Sequence, residues 1–280
     1  MVRRMGSQPG FRSTPLAATS ITEHKSVFIG ERAVGRLEDK RIVVTGAGRG
    51  LGRTIAHRLV AEGAIVIGVA RNAERLATEL EPLGSRAIGL VGDLTIPADV
   101  DRIFAEIERR FGQLDALVNN AAVYDVFNLE EAEPERIRAT IDANLLAPIL
   151  CIRGAMPLLR KAGGGDVVNI TSESVHSPFA LLSAYAATKA GLETLSRALR
   201  TELRPDRIRV TALRIGALSD PERKLDPAIV GRFVQANAKV LKQAIGGRLI
   251  ELDTVAGVLV DLLTLPPEAA YELVDLRCRG

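Results

Sequence analysis

The chain has 280 residues, 47% of them hydrophobic and 25% charged, the balance of a globular protein with a sizeable core in one domain or two. Its 37 basic and 34 acidic side chains leave a net charge of +3 with no block of like charge, and aromatics make up 4%. A nucleic-acid groove wants a basic stripe and stacking rings, so that class of partner is argued against.

Residues 1–38 read as an irregular N-terminal extension. Its first twenty positions hold Arg3, Arg4 and Arg12 and no acid, a weak likeness to an organellar presequence. The plainer readings are a disordered extension, or a start annotated too early with Met5 as the true one. From Lys40 the pattern changes: "RIVVTG" is a β-branched run stopped by glycine, and "LGRTIAHRLVAEG" has helical spacing. Strand "AIVIGVA" and helix "NAERLATELEPLG" follow, then "RAIGLVGDL" and "PADVDRIFAEIERRFG" repeat the alternation before strand "LDALVNNA". One long helix is expected from about Pro134 to Lys161, then strand "DVVNITS", helix "SAYAATKAGLETLSRALRTEL" and strand "RIRVTALRI". Near the end, "VAGVLVDLLTL" reads as a helix and "YELVDL" as a last strand. Six or seven continuous apolar strands alternating with helices predict an α/β fold: one doubly wound parallel sheet in a single domain over 39–280.

Two cysteines, Cys151 and Cys278, lie far apart without metal-like neighbours, which favours a reducing, cytoplasmic compartment. His24, His57 and His176 share no ligand spacing, so no metal is expected. No run of about 18 uncharged apolar residues occurs, and no membrane span is expected.

The turn "VVTGAGRGLGRT" joins the first strand to the first helix. It does not meet G-x-G-x-x-G, because position 51 is Leu; it reads T-G-x-x-x-G-x-G, with Thr45, Gly46, Gly50 and Gly52. Glycines there allow close backbone approach, and free amides at a helix start bind pyrophosphate, although a plain turn remains the alternative. An NAD site usually ends its second strand in an acid that holds the ribose 2′-hydroxyl. Here the strand ends in Ala70 and Arg71, which suits a 2′-phosphate, with Arg49 in the glycine turn placed to flank it. The cofactor expected is therefore NADP(H), the alternative being that both arginines are solvated surface residues.

In "SAYAATK", Tyr185 and Lys189 stand four apart, and Lys189 is the only lysine between Lys161 and Lys224. On a helix that spacing puts both on one face, about 6 Å apart. A free phenol, with a pKa near ~10, exchanges protons poorly at neutral pH, and a neighbouring ammonium lowers that pKa. The pair is thus expected to be a lysine-tuned acid/base, with a purely structural pair as the alternative.

Taken in order, "TGAGRGLG", "NNAA", "VVNITS" and "YAATK" resemble the short-chain dehydrogenase/reductase superfamily, from about Leu37 to the C-terminus. The resemblance implies a seven-stranded Rossmann sheet and hydride transfer between a nicotinamide and a carbonyl or alcohol carbon. It gives Tyr185 the role of acid in reduction and base in oxidation, and Lys189 that of lowering its pKa and binding the nicotinamide ribose. Ser172, thirteen residues before Tyr185, would hold the substrate oxygen, and Asn144 in "DANLLAP" would bind a relay water through its backbone. The cofactor contacts implied are Thr45, Gly46, Arg49, Gly50, Leu51, Gly52, Arg71, Asp93, Leu94, Asn120, Tyr185, Lys189 and Gly216, with Asn119 bracing the central strands. For Asp93 a loop-capping role stays nearly as good.

Three positions depart from the family pattern: Ala122 for a glycine, Ile215 for a proline, and Asp220 for a threonine that contacts the cofactor, with Ser219 a possible substitute. An acid near pyrophosphate would repel it. A lid is expected over about 217–248, and Val123, Tyr124, Ser174, His176, Phe179 and Leu182 are candidate pocket walls. The tail "PPEAAYELVDLRCRG" is similar to that of NADP-dependent members. Relatives pair through their long helices, which implies a homodimer or homotetramer acting on a small-molecule carbonyl or alcohol. The rival readings are a silent NADP-binding regulator or scaffold, and a lyase, epimerase or imine reductase on the same fold.

Overall fold

Each strand of the sheet alternates its side chains between two covered faces, which is why the strand sequences are apolar throughout. The structure, a computed structural model, describes residues 35–223, 226–245 and 249–278. Most of the expected extension 1–38, and lid positions 224, 225 and 246–248, lie outside the described residues. The strands are β1 (Arg41–Thr45), β2 (Ile65–Ala70), β3 (Ala87–Val91), β4 (Ala116–Asn119), β5 (Gly165–Ser172) and β6 (Ile208–Ile215), then a short pair, β7 (Leu218–Ser219) with β8 (Ile250–Glu251), and β9 (Leu273–Leu276). Seven of them form one parallel sheet in the order β3-β2-β1-β4-β5-β6-β9. The order reverses between β1 and β4, the place where a doubly wound sheet opens a ligand crevice.

Alternation sends Ile42, Val44, Val66, Val118, Val168 and Leu213 to one face, against α1 (Gly50–Ala61), α2 (Ala73–Leu80) and α8 (Leu252–Leu263). Val43, Ile67, Leu117, Val167 and Val210 face the other way, onto α3 (Pro97–Phe111), α5 (Ala147–Lys161) and α6 (Ser183–Leu203). Cys151 is buried in that second core, where burial pushes its thiol up to about 12 and makes it a packing residue. Across the middle of the sheet, Asn119 on β4 donates to Asn169 on β5 (2.8 Å), which donates to Ser196 on α6 (2.9 Å). This buried chain ties the two central strands to the helix that carries Tyr185, the bracing implied for Asn119.

Three elements differ from expectation. The helix expected through Gly84 stops at Leu80, because Pro82 and a left-handed Gly84 (φ 73°) turn residues Glu81–Arg86 into a kinked 3-10 segment. The long helix 134–161 is α4 (Pro134–Ile141) and α5 separated by a π-turn at Asp142–Leu146. An 18-residue window within those 28 residues has a mean hydropathy of 1.3, long and apolar enough to cross a membrane, but the segment flanks the sheet, with Leu150, Ile152, Ala155 and Leu159 in its core. The β7/β8 pair has no counterpart in the sequence pattern, since two residues per strand leave no periodicity to read. The lid segment carries α7 (Pro227–Ile245).

Candidate active site

The C-terminal ends of β1, β4, β5 and β6 bring the chemistry-bearing residues to one edge. At the end of β1, Gly46 (φ 72°) and Gly50 (φ 50°) take left-handed conformations, and α1 starts at Gly50. A Cβ on Gly52 would collide with the Gly46 carbonyl oxygen and stand 2.5 Å from Asn120 Nδ2, so the helix start is pressed onto the strand end. Arg49, at the N-cap, provides no side-chain cap, and the first turn has no acid. The opening amides of α1 therefore remain a ready anion site, which fits a dinucleotide pyrophosphate.

Three expected cofactor contacts turn their side chains inward. The Thr45 hydroxyl accepts from the Asn120 and Ala121 amides (both 2.9 Å) and donates to the Val118 carbonyl (3.3 Å), so it braces β1 to β4. Leu94 is buried in the core with Val43 and Val69. Leu51 is likewise a core residue, present at the turn through its backbone. Asn120 donates to the Thr45 carbonyl at 2.9 Å. Asp93 caps its own loop by accepting from Thr95 N (3.0 Å) and Thr95 Oγ1 (2.8 Å), while its other oxygen is 3.7 Å from exposed Arg71. The loop-capping reading of Asp93 is thus the one its side chain displays. Arg49 is exposed beside the glycine turn. Arg75, which no motif singles out, has its Cβ near Gly48 at the start of α2.

On α6, Tyr185 and Lys189 are both buried, at 9% and 3% exposure. Lys189 Nζ donates to the Ile170 carbonyl (2.9 Å) and stands 5.9 Å from the Tyr185 ring centre. Burial lowers the lysine to about 8. It raises the tyrosine, with Ser172 and then Arg223 opposing that rise. Desolvation is the largest influence on the phenol and leaves its pKa above the usual range despite the Lys189 ammonium, which donates to the Ile170 backbone carbonyl. Tyr185 is therefore a neutral phenol, a proton donor held next to Ser172.

Asn144 is fully buried in the π-turn, with Oδ1 accepting from Val123 N (2.7 Å) and Nδ2 donating to Val123 O (2.9 Å). Its side chain thus fixes the strand β4 exit, leaving only its backbone for a relay. Tyr124 meets Tyr185 edge-on, ring centres 5.1 Å apart at 73°, and burial lifts its pKa to about 12. Phe179, Leu182, Val126 and Tyr185 form an apolar cluster closed from above by Ile229 and Phe233 of α7. Asn237 of α7 clamps this lid by accepting from Ala180 N (2.7 Å) and donating to its carbonyl (3.1 Å). His176, an expected wall, is instead exposed, and Ser174 is buried with its hydroxyl unpartnered among the described residues.

Of the three departures, two are harmless. Ala122 is exposed with ordinary backbone angles, and Ile215 extends β6, paired with Ser172 and Leu276. Asp220 is not: its Oδ2 lies 3.0 Å from where a Gly50 Cβ would stand, at the opening of α1. Arg53 of α1 pairs with Glu222, holding that loop in place, while Ser219 is engaged in β7. Glu173, which lies outside the motifs although it follows Ser172, is buried beside Gly216, and burial raises its pKa. A groove of about 1250 Å³ lined by Arg36, Asp115, Asp166 and Arg209 sits at the other end of the sheet and shares no residue with this site.

A family profile described as short chain dehydrogenase matches residues 40–224. An oxidoreductase of Sarocladium schorii is 33% identical over 181 residues, covering 65% of this chain and 73% of the relative. An uncharacterised oxidoreductase of Methylorubrum extorquens is 31% identical over 233 residues, covering 82% and 92%. The crystal structure of a metagenomic short-chain oxidoreductase in complex with NADP superposes with a TM-score of 0.71 at 28% identity, covering 88% of this chain and 99% of that one. With a family profile over 40–224, relatives above 30% identity and a matching fold, the chain belongs to the short-chain dehydrogenase family of oxidoreductases.

Proposed function

We propose that the protein is an NADP(H)-dependent oxidoreductase that interconverts a small or medium carbonyl and its alcohol. The observation carrying this reading is the burial of Tyr185 beside Lys189 and within reach of Ser172. NADPH, when bound, supplies the hydride. Ser172 holds the carbonyl oxygen, and Tyr185, kept neutral by burial, gives it the proton. Lys189, an ammonium below about pH 8, stabilises the phenolate left behind, and the Asn144 backbone would relay the replacement proton. Gly46, Gly50, Gly52 and the first amides of α1 would hold the pyrophosphate, with Asn120, Gly216 and Lys189 nearer the nicotinamide.

NADP(H) is favoured over NAD(H) by the want of an acid after Ala70 and by the exposed Arg49, Arg71 and Arg75 around the end of β2. The NADP carried by the metagenomic relative points the same way. The Arg71–Asp93 contact is exposed and long, so little is lost when Arg71 turns to a phosphate. NADPH is expected to bind more tightly than NADH, and Arg71→Ala to weaken NADPH alone by roughly tenfold or more, the effect of a charge-assisted hydrogen bond. Fluorescence titration with both nucleotides checks this, and equal affinities in the unaltered protein would refute it. Turnover on a carbonyl panel then separates an oxidoreductase from a silent nucleotide-binding scaffold.

The best support for that scaffold is Asp220, whose carboxylate shares the α1 opening with the pyrophosphate. Asp220→Asn removes a like charge and is expected to tighten dinucleotide binding about tenfold, roughly 1.4 kcal/mol. An unchanged dissociation constant would show that the loop swings clear at no cost. Ile141, Leu146 and Ile149 expose apolar surface on α4, the π-turn and α5, which supports pairing of copies through these helices.

A further inference from the structure

The Arg223 guanidinium lies 4.7 Å over the Tyr124 ring, and Tyr124 in turn meets Tyr185 edge-on at 5.1 Å. A stacked guanidinium uses its face on the ring and keeps its in-plane N–H donors free for a carboxylate fork. Among the described residues these donors have no ion pair or hydrogen bond; only the Arg223 backbone is engaged, donating to Asp220 O at 3.2 Å. The charge is felt in the site, since it opposes the burial-driven rise of both phenols. Arg223 itself is exposed, while Tyr124 beneath it packs on the apolar cluster of Val126, Phe179, Leu182 and Tyr185, which Ile229 and Phe233 also meet. Of the acids nearest it, Glu173 is buried beside Gly216, Glu222 pairs with Arg53, and the Asp220 carboxylate is turned to the opening of α1.

A neutral substrate filling this space would strip water from a guanidinium and return nothing. A substrate with an apolar body and an anionic end would satisfy it. Resting on the reading of the site as a carbonyl/alcohol oxidoreductase, we propose that Arg223 is its specificity-determining residue. It selects substrates whose reacting C–O sits at Ser172 and Tyr185 while a carboxylate, one ring's width away, forks onto Arg223.

The test uses the full chain with NADPH and a matched pair, 4-oxo-4-phenylbutanoate and its methyl ester. The acid is expected to exceed the ester in kcat/KM by about tenfold or more, mainly through KM, the effect of a charge-assisted pair. In Arg223→Ala that ratio is expected to fall toward one, and in Arg223→Lys to be partly restored. An ester that reacts as well as the acid, or an Arg223→Ala that loses both equally, overturns the proposal. So does weakened NADPH binding in Arg223→Ala, which would put the guanidinium on the pyrophosphate. Calorimetry with the unreactive pair 4-phenylbutanoate and 4-phenylbutanamide on NADPH-loaded protein reads the same preference without turnover. Preferential binding of the carboxylate with no reduction of either ketone would sink the oxidoreductase reading and keep the anion site; no preference in either assay sinks the anion site.

Discussion

Tyr185→Phe is expected to lower kcat for carbonyl reduction by about 10²–10⁴-fold, the range in which one positioned proton donor acts. The substitution removes a single oxygen from a buried ring whose packing against Tyr124, Phe179 and Leu182 stays in place. Nucleotide affinity and melting temperature should therefore change little, and the loss should fall on the chemical step. The pH profile of the unaltered protein carries the second half of the argument. Burial raises the phenol above its usual range and lowers Lys189 to about 8, so as pH rises through that value the ammonium is lost while Tyr185 keeps its proton. Phenolate developing on Tyr185 then loses its counter-charge, and kcat/KM for reduction is expected to fall on the alkaline side of about 8 and hold on the acid side. Stopped-flow or steady-state consumption of NADPH between pH 6 and 10 reads both effects, using roughly the span over which perturbed lysines titrate. If Tyr185→Phe kept more than about a tenth of the parent rate, the phenol would have no part in the reaction.

The residues that were legible in the sequence are those whose role follows from a local spacing. Tyr185 and Lys189 share a helix face because they are four apart, and the doubly wound parallel sheet follows from continuous apolar strands alternating with helices. What spacing does not carry is the direction of a side chain or the dielectric around it. Thr45 and Leu94 lie in the right segments, yet the first points at β4 amides and the second into the core. The pairing of phenol and ammonium was readable; the dominance of desolvation over their mutual attraction was not, since it depends on everything packed around α6. The path of the loop holding Asp220 and Arg223 is set by Arg53 meeting Glu222 and by β7 pairing with β8, contacts between segments far apart in the chain. The π-turn at Asp142–Leu146 was equally hidden, because its residues read as ordinary helix.

Gly52→Ala is expected to destabilise the protein by about 1–3 kcal/mol and to abolish high-affinity nucleotide binding, although one methyl group is all it adds. Alanine is the better helix former, and at an open helical position the change stabilises by roughly 0.5–1 kcal/mol. Position 52 is closed: the new Cβ collides with the backbone carbonyl of Gly46 and crowds Asn120 Nδ2, itself held by the Thr45 carbonyl. The Asn120 amide could rotate, but the Gly46 contacts are backbone, so relief must come from moving α1 away from the end of β1. That movement separates the glycine turn from the amides that form the anion site, which couples the loss of stability to the loss of binding. Gly231 on α7 has nothing within 4 Å of its would-be Cβ and supplies the contrast, with Gly231→Ala expected to hold or gain stability. Urea denaturation of both variants, with NADPH titration alongside, compares one chemical change in two settings. Equal midpoints for the two would mean that α1 and β1 are not in tight contact, and the pyrophosphate site would have to be sought elsewhere.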